Sequence, residues 1–190
     1  MSKFLLTDID GCVLNWHKGF ISFCEMLGFK LDKNSDHTDY DMATWFTNMS
    51  SEQFRGLVTL FNNSQFSNLC PPLSDAGTYL PLIAKNHRVE ALTAFGDRPE
   101  QKEMRKNLIN ALFPNVFDEI HVIDLQECKR SYLERIKPDI FIEDSLRHAD
   151  SSLELGIETW MIKTPYNDSD KHQYLDKYEP WKDLYKRMGE

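Results

Sequence analysis

The chain has 190 residues and a mass of 22.3 kDa, the size of one domain or of one domain carrying a small inserted module, which excludes repeat arrays and long multidomain assemblies. Its 41% hydrophobic and 12% aromatic residues suffice for a continuous core and exclude global disorder. Twenty-two basic against 30 acidic residues give a formal charge of −8, which opposes bulk attraction to a long nucleic acid or an anionic membrane and leaves room for a local basic pocket.

Taken in chain order, the first apolar run rich in strand formers is Phe4 to Thr7. The interval that follows is far longer than a single crossover needs. It holds a helix over Lys18 to Leu27 ended by Gly28, a polar segment around Asn34 to Asp41, and the capping-box pattern Ser50-Ser51-Glu52-Gln53 opening a helix to about Phe61. Residues 16–74 therefore read as a mainly helical cap, after which Ser74 or Asp75 starts a helix back to the sheet. A second strand spans Val89 to Ala94. The helix Pro99 to Leu112 follows, with proline near its start and Met104, Leu108, Ile109, Ala111 and Leu112 at core-facing spacing. Further strands are Ile120 to Ile123, Ile140 to Ile142 and Thr159 to Ile162, and between the last two Ser145 can cap a helix to Leu155, closed by Gly156. Lys171 to Arg187 reads as a helical tail of mixed charge with a solvated face.

Wholly apolar strands alternating with helices predict an α/β fold: a doubly wound, Rossmann-like parallel sheet of about five strands, built from residues 1–15 and 75–190, with the small helical cap inserted after the first strand. Cys12, Cys24, Cys70 and Cys128 form no C-x-x-C pair and read as reduced thiols. Met1 to Asp8 is too poor in apolar residues for a signal-peptide core, and no run approaches membrane-spanning length. These features predict a cytoplasmic protein with no membrane partner.

The strongest chemical signal is Thr7-Asp8-Ile9-Asp10-Gly11, two carboxylates at the carboxyl end of a strand, where open α/β sheets collect ligands. An EF-hand reading fails, because such a loop needs glycine and glutamate where Val13 and Gly19 stand. A second strand, Ile140 to Ile142, ends in Glu143-Asp144-Ser145. Each pair alone would also serve as solvated turn acids or helix-end compensation. If the two strands are neighbours, the four acids converge, and like charges about 4 Å apart cost roughly 4 kcal/mol per pair at an effective dielectric near 20. A cation makes such a cluster tolerable, and oxygen-only ligands favour Mg²⁺. Thr93 stands at another carboxyl end, and Lys129 or its neighbour Arg130 precedes the second acidic pair.

Acidic pair, hydroxyl, lysine, acidic pair is the motif order of the haloacid dehalogenase (HAD) superfamily, which the sequence resembles. The resemblance implies a phosphohydrolase in which Asp8 is the nucleophile forming an aspartyl-phosphate and Asp10 the general acid and base. Thr93 would bond the transferring phosphoryl group and Lys129 would neutralise its charge. Asp8, Asp10, Asp144 and Glu143 would hold Mg²⁺. Asp10 argues against the dehalogenase branch, and the lack of D-K-T-G-T argues against the ion-pump branch.

More narrowly, the chain resembles the 5′(3′)-deoxyribonucleotidase-like family in three places: Trp16 after the first motif, Trp45-Phe46 in the cap, and Lys163-Thr164-Pro165-Tyr166-Asn167 after the last strand. By that resemblance Trp16, Trp45 and Phe46 would line a base pocket, with Ala94 and Arg130 completing the substrate-binding set. The same rings would equally serve as the cap's own core. The expected partner is a small phosphorylated metabolite, a nucleoside monophosphate first of all, and not a long nucleic acid. Glu143-Asp144-Ser145 and Thr93-Ala94-Phe95-Gly96 depart from the nucleotidase pattern, keeping open a sugar-phosphate phosphatase or phosphomutase. From another class, a non-catalytic phosphate or Mg²⁺ binding module also stays open. His17 and His148 lie near motifs and receive no role.

Overall fold

The structure, a computed structural model, describes residues 2–164, 166–167, 176–178 and 181–189. Six strands, β1 (Phe4–Thr7), β2 (Arg88–Ala94), β3 (Glu119–Ile123), β4 (Ile140–Glu143), β5 (Glu158–Ile162) and β6 (Asp176–Tyr178), form one sheet in the order β3-β2-β1-β4-β5-β6. Every pairing is parallel. The five expected strands are present to within a residue at each end. The sixth, which pairs with β5 at the edge of the sheet, was not foreseen, because Asp176-Lys177-Tyr178 has no apolar run to announce it.

Chain direction across the sheet reverses between β1 and β4, the topological switch point at which doubly wound sheets bind ligands. Thr7 pairs with both Ala91 and Ile142, so β1, β2 and β4 end side by side. The amide of Asp8 carries the ladder one step further by donating to the carbonyl of Ile142 at 2.8 Å.

Between β1 and β2 lie α1 (Trp16–Met26), a 3-10 turn (Met42–Trp45), α2 (Ser51–Asn62), a second 3-10 turn (Gln65–Leu69) and α3 (Ala76–Ile83). Helix α1 begins two residues earlier than predicted because the Asn15 side chain accepts from the Lys18 amide at its start. The capping box of α2 forms as read, Ser50 with Gln53. One apolar cluster runs from Leu5 and Val89 in the sheet through Phe20, Phe23, Phe46 and Phe61 of the helical insertion, so the insertion is packed onto the sheet rather than tethered beside it.

Helices α4 (Pro99–Leu112), α5 (Arg130–Ile136) and α6 (Leu146–Glu154) complete the crossovers. The C-terminal prediction needs correction: α7 (Trp181–Arg187) is no solvated face. Trp181 is 1% exposed and its indole donates to the Cys12 carbonyl at 2.8 Å. Asp75 starts α3 as expected, standing at its N-cap position, but its side chain caps α7, accepting from the amides of Trp181 and Lys182 at 2.8 and 3.1 Å. The predicted tail positions 171–175 lie outside the described residues, as does Pro165. Among the described residues no helix is long and apolar enough to cross a membrane.

Because Trp181 both fills the core and satisfies a buried carbonyl beside the acidic loop, Trp181→Ala is expected to cost about 3–5 kcal/mol in urea unfolding; a solvated tail would change stability by less than about 0.5 kcal/mol.

Candidate active site

The carboxyl ends of β1 and β4 converge on the ammonium of Lys129, the residue that opens α5. Lys129 is 2% exposed, and its Nζ lies 2.7 Å from Asp8 Oδ1 and 2.7 Å from Glu143 Oε2. Burial alone would lower the lysine's pKa, but the two carboxylates outweigh it and the net shift is upward. Asp8 is pushed up to about 6, by burial first and by the Glu143 charge, against the pull of Lys129. Glu143 spends its other oxygen on the Ser145 amide at 3.1 Å.

Asp144 sits beside this pair, buried in a different set of contacts. Its Oδ2 accepts from the Tyr166 hydroxyl, its Oδ1 lies 3.9 Å from the Cys12 thiol, and its main-chain carbonyl accepts from Asn167 Nδ2 at 2.9 Å. Burial raises its pKa well above the carboxylate range, and the charges of Glu143 and Asp8 raise it further. Gly11 makes room for it: the backbone there has φ +88°, and a Cβ would stand 2.0 Å from Asp144 Oδ2. Only glycine allows both the left-handed turn and this passage.

Asp10 points elsewhere. Its Oδ1 accepts from Nη2 of Arg105 on α4, and its Oδ2 from the buried Thr93 hydroxyl at 3.4 Å. The acid and hydroxyl motifs are thus joined across β1 and β2.

The residues present fit a hard divalent cation. Ligand atoms of Asp8, Cys12 and Asp144 all lie within 4.8 Å of one another, and all three residues are buried. Asp8 and Asp144 offer anionic oxygen, whereas burial and the Asp144 charge push the Cys12 thiol upward, so it remains a protonated neighbour. Two of the four expected metal ligands have their carboxylate oxygens in other contacts. Glu143 has both oxygens committed to Lys129 and Ser145, and Asp10 has both committed to Arg105 and Thr93. Glu143 and Asp144 are adjacent and point to opposite sides, whereas Asp8 and Asp10, two positions apart, part company because β1 ends at Thr7 and the chain turns after it.

The predicted substrate contacts fare unevenly. Trp45 and Phe46 are 5% and 4% exposed inside the insertion's aromatic core, Trp45 facing His17 and His37, Phe46 edge-on to Phe20. Neither ring has a face left for a base. Trp16 is half-buried, stacked on Phe20 at 4.8 Å with its indole donating to Asn62 at 3.0 Å. The Ala94 methyl packs against the Leu6–Leu92–Phe141 cluster. Arg130 lies at the surface, paired with Glu134 and Glu154; the lysine beside it is the one that is buried.

Sequence reasoning passed over Arg105 entirely and noticed Tyr166 only within a motif. The Arg105 signal was readable. Gln101, Arg105 and Ile109 form the buried stripe of α4, and Leu112, expected in the core, is 37% exposed; a cation on a buried helical stripe needs an acid to meet. His17, whose ring centroid is 5.2 Å from that of Tyr166, is lowered to about 4 by burial and stays neutral.

This fold is the HAD-like, Rossmann-type fold. A haloacid dehalogenase-like hydrolase from Streptococcus pneumoniae superposes with a TM-score of 0.68 at 12% identity, over 98% of each chain. The HAD hydrolase YfnB of Bacillus subtilis, solved bound to magnesium, gives 0.67 at 12% identity over 100% of this chain and 99% of that one. CbbY of Rhodobacter sphaeroides, solved with phosphate and, in a variant, with xylulose 1,5-bisphosphate, gives 0.56 and 0.57 at 14% identity, over 97% of this chain and 96% of that one. In sequence, the chain is 26% identical over 162 residues, 82% of its length, to an uncharacterized 32.4 kDa protein of enterobacteria phage T4, of which it spans 58%. No protein-family model matches.

Two substitutions probe the acidic pocket. Gly11→Ala is expected to cost about 1–2 kcal/mol for the left-handed backbone and, by displacing Asp144, to abolish any rise in melting temperature that Mg²⁺ gives the unaltered protein. Asp144→Asn removes a charge that the ion-free pocket disfavours and should stabilise that form by about 0.5–2 kcal/mol in urea melts. Since burial raises the folded-state pKa of Asp144, the cost begins as pH rises past the ordinary carboxylate value; the gain is therefore larger at neutral pH and vanishes in acid, where Asp144 is protonated in the folded and the unfolded chain alike.

Proposed function

We propose that this chain is a Mg²⁺-dependent phosphomonoester hydrolase that works through an aspartyl-phosphate on Asp8. The observation that carries the proposal is the buried Asp8 carboxylate held 2.7 Å from Lys129 at the switch point of the sheet, with Asp144 alongside. The HAD-like fold and the motif order support the same reading.

In this mechanism an Asp8 oxygen attacks phosphorus in line with the leaving oxygen. As the bond from phosphorus to that oxygen breaks, Asp10 gives it a proton, and an alcohol departs. Asp10 then takes a proton from water as the water attacks the aspartyl-phosphate, releasing inorganic phosphate and restoring both acids. Lys129 orients the nucleophile and offsets charge on the phosphoryl oxygens, while Thr93 supplies a hydrogen bond to one of them. Asp8 and Asp144 would hold Mg²⁺, which when bound screens the repulsion between carboxylate and phosphate.

Residues 16–74 act as a cap over a core of 1–15 and 75–190, shielding the site from bulk water and selecting the leaving group. The substrate is a small phosphomonoester. A nucleoside monophosphate, as in a 5′-nucleotidase, would have Trp16 as its remaining aromatic surface. The burial of Trp45 and Phe46 favours a sugar phosphate as the second reading, the class to which the ligand of CbbY belongs. Free thiols at Cys12, Cys24, Cys70 and Cys128 agree with a cytoplasmic setting.

The test is phosphate release from a panel of nucleotides and sugar phosphates, with Mg²⁺ or with EDTA. Metal-dependent turnover is expected, with Asp8→Asn folded and slowed at least about 10³-fold. Mg²⁺- and phosphate-dependent stabilisation without turnover of any substrate would instead mark a binding module.

A further inference from the structure

Arg105 is the largest charged side chain in the core, at 1% exposure, and it sits on α4, outside the four motifs. A guanidinium so placed must be explained by what it meets. Nη2 donates to Asp10 Oδ1, and the guanidinium carbon lies 4.4 Å from the centre of the Phe95 ring. Nε and Nη1 have no hydrogen-bond partner among the described residues, although both are buried. Leaving two donors unmet costs about 1–3 kcal/mol each. A purely structural ion pair would use the fork on both carboxylate oxygens. Here Arg105 takes one oxygen only, and the other, Oδ2, is left on the side of Thr93.

From this geometry we infer that Arg105 is a positioning residue for Asp10: by fixing Oδ1 it leaves Oδ2 as the oxygen that hands the proton to the leaving group. The inference rests on the hydrolase reading above. Arg105 touches no reacting atom. It acts by restricting the rotation of the Asp10 carboxyl, and its own seat is restrained in turn, since the Phe95 carbonyl accepts from Asn62 of α2 at 3.3 Å. A donor oxygen displaced by about 1 Å forfeits roughly 100-fold in rate.

The chemistry provides a test that a merely structural residue would not pass. A sugar or nucleoside alkoxide needs a proton as its bond to phosphorus breaks, whereas dinitrophenolate departs with the electron pair and needs none. The comparison uses kcat/KM, which reports phosphoryl transfer to Asp8 and not the later hydrolysis. The unaltered protein, Arg105→Met and Arg105→Lys are each assayed on 2,4-dinitrophenyl phosphate, and on deoxythymidine 5′-monophosphate or ribose 5-phosphate, whichever the unaltered protein turns over faster.

Arg105→Met is expected to lose about 100-fold on the alkyl phosphate and less than about 3-fold on the dinitrophenyl ester. Arg105→Lys, which keeps the charge and loses the planar fork, should show the same asymmetry at smaller size, and it carries the test if the methionine variant does not fold. Equal losses on both substrates, or no loss on either, overturn the positioning role while leaving the hydrolase reading intact. An unaltered protein inactive on both substrates overturns that reading itself.

Discussion

The site depends on a single buried ammonium. Lys129 lies at 2.7 Å from both Asp8 and Glu143, on neighbouring strands that could not otherwise bring two carboxylates so close in a dry pocket. With Asp144 added, three acids face one cation, and burial first, then the neighbouring acids, shift Asp8 and Asp144 upward. Glu143 ties Lys129 down and thereby decides which face it presents to Asp8. A further cation would offset the remaining negative charge.

Topology makes the arrangement available. Only at the reversal between β1 and β4 do two carboxyl ends adjoin without a crossover helix covering the gap. The turn after β1 must then clear the next strand's acid, and Gly11, with no side chain, lets Asp144 through. Trp181 closes the same turn from behind through the Cys12 carbonyl, and Asp75 fixes the helix that carries Trp181. The C-terminal helix therefore belongs to the support of the acidic loop.

On the other side of the turn, Asp10 and Thr93 lean toward α4 and meet Arg105, and the insertion reaches the same place through Asn62 and Phe95. Two groups of residues flank Asp8: an oxygen-rich side with Asp144 and Tyr166, and a side where the donors Thr93 and Arg105 meet Asp10. The aromatic residues of the insertion are its own core, with Trp45 and Phe46 enclosed among His17, His37 and Phe20. Beside Tyr166, Tyr40 is 70% exposed.

The order of strands and helices, the placement of acids at strand ends and the presence of an insertion were legible in the sequence, because apolar periodicity and capping are local properties that each segment carries by itself. The apolar run Phe4 to Thr7 had to be a buried strand, and the acids after it had to emerge at the edge of the sheet. Which of those acids would share a point was not legible. Asp8 and Asp10 stand two positions apart and face different partners, and Lys129 rather than Arg130 turned inward because the α5 crossover points only one of them at the sheet. Whether Trp45 was platform or core depended likewise on packing across the insertion. The edge strand β6 rests on its pairing with β5, and a segment without an apolar run of its own gains its structure from contacts that only the folded molecule supplies.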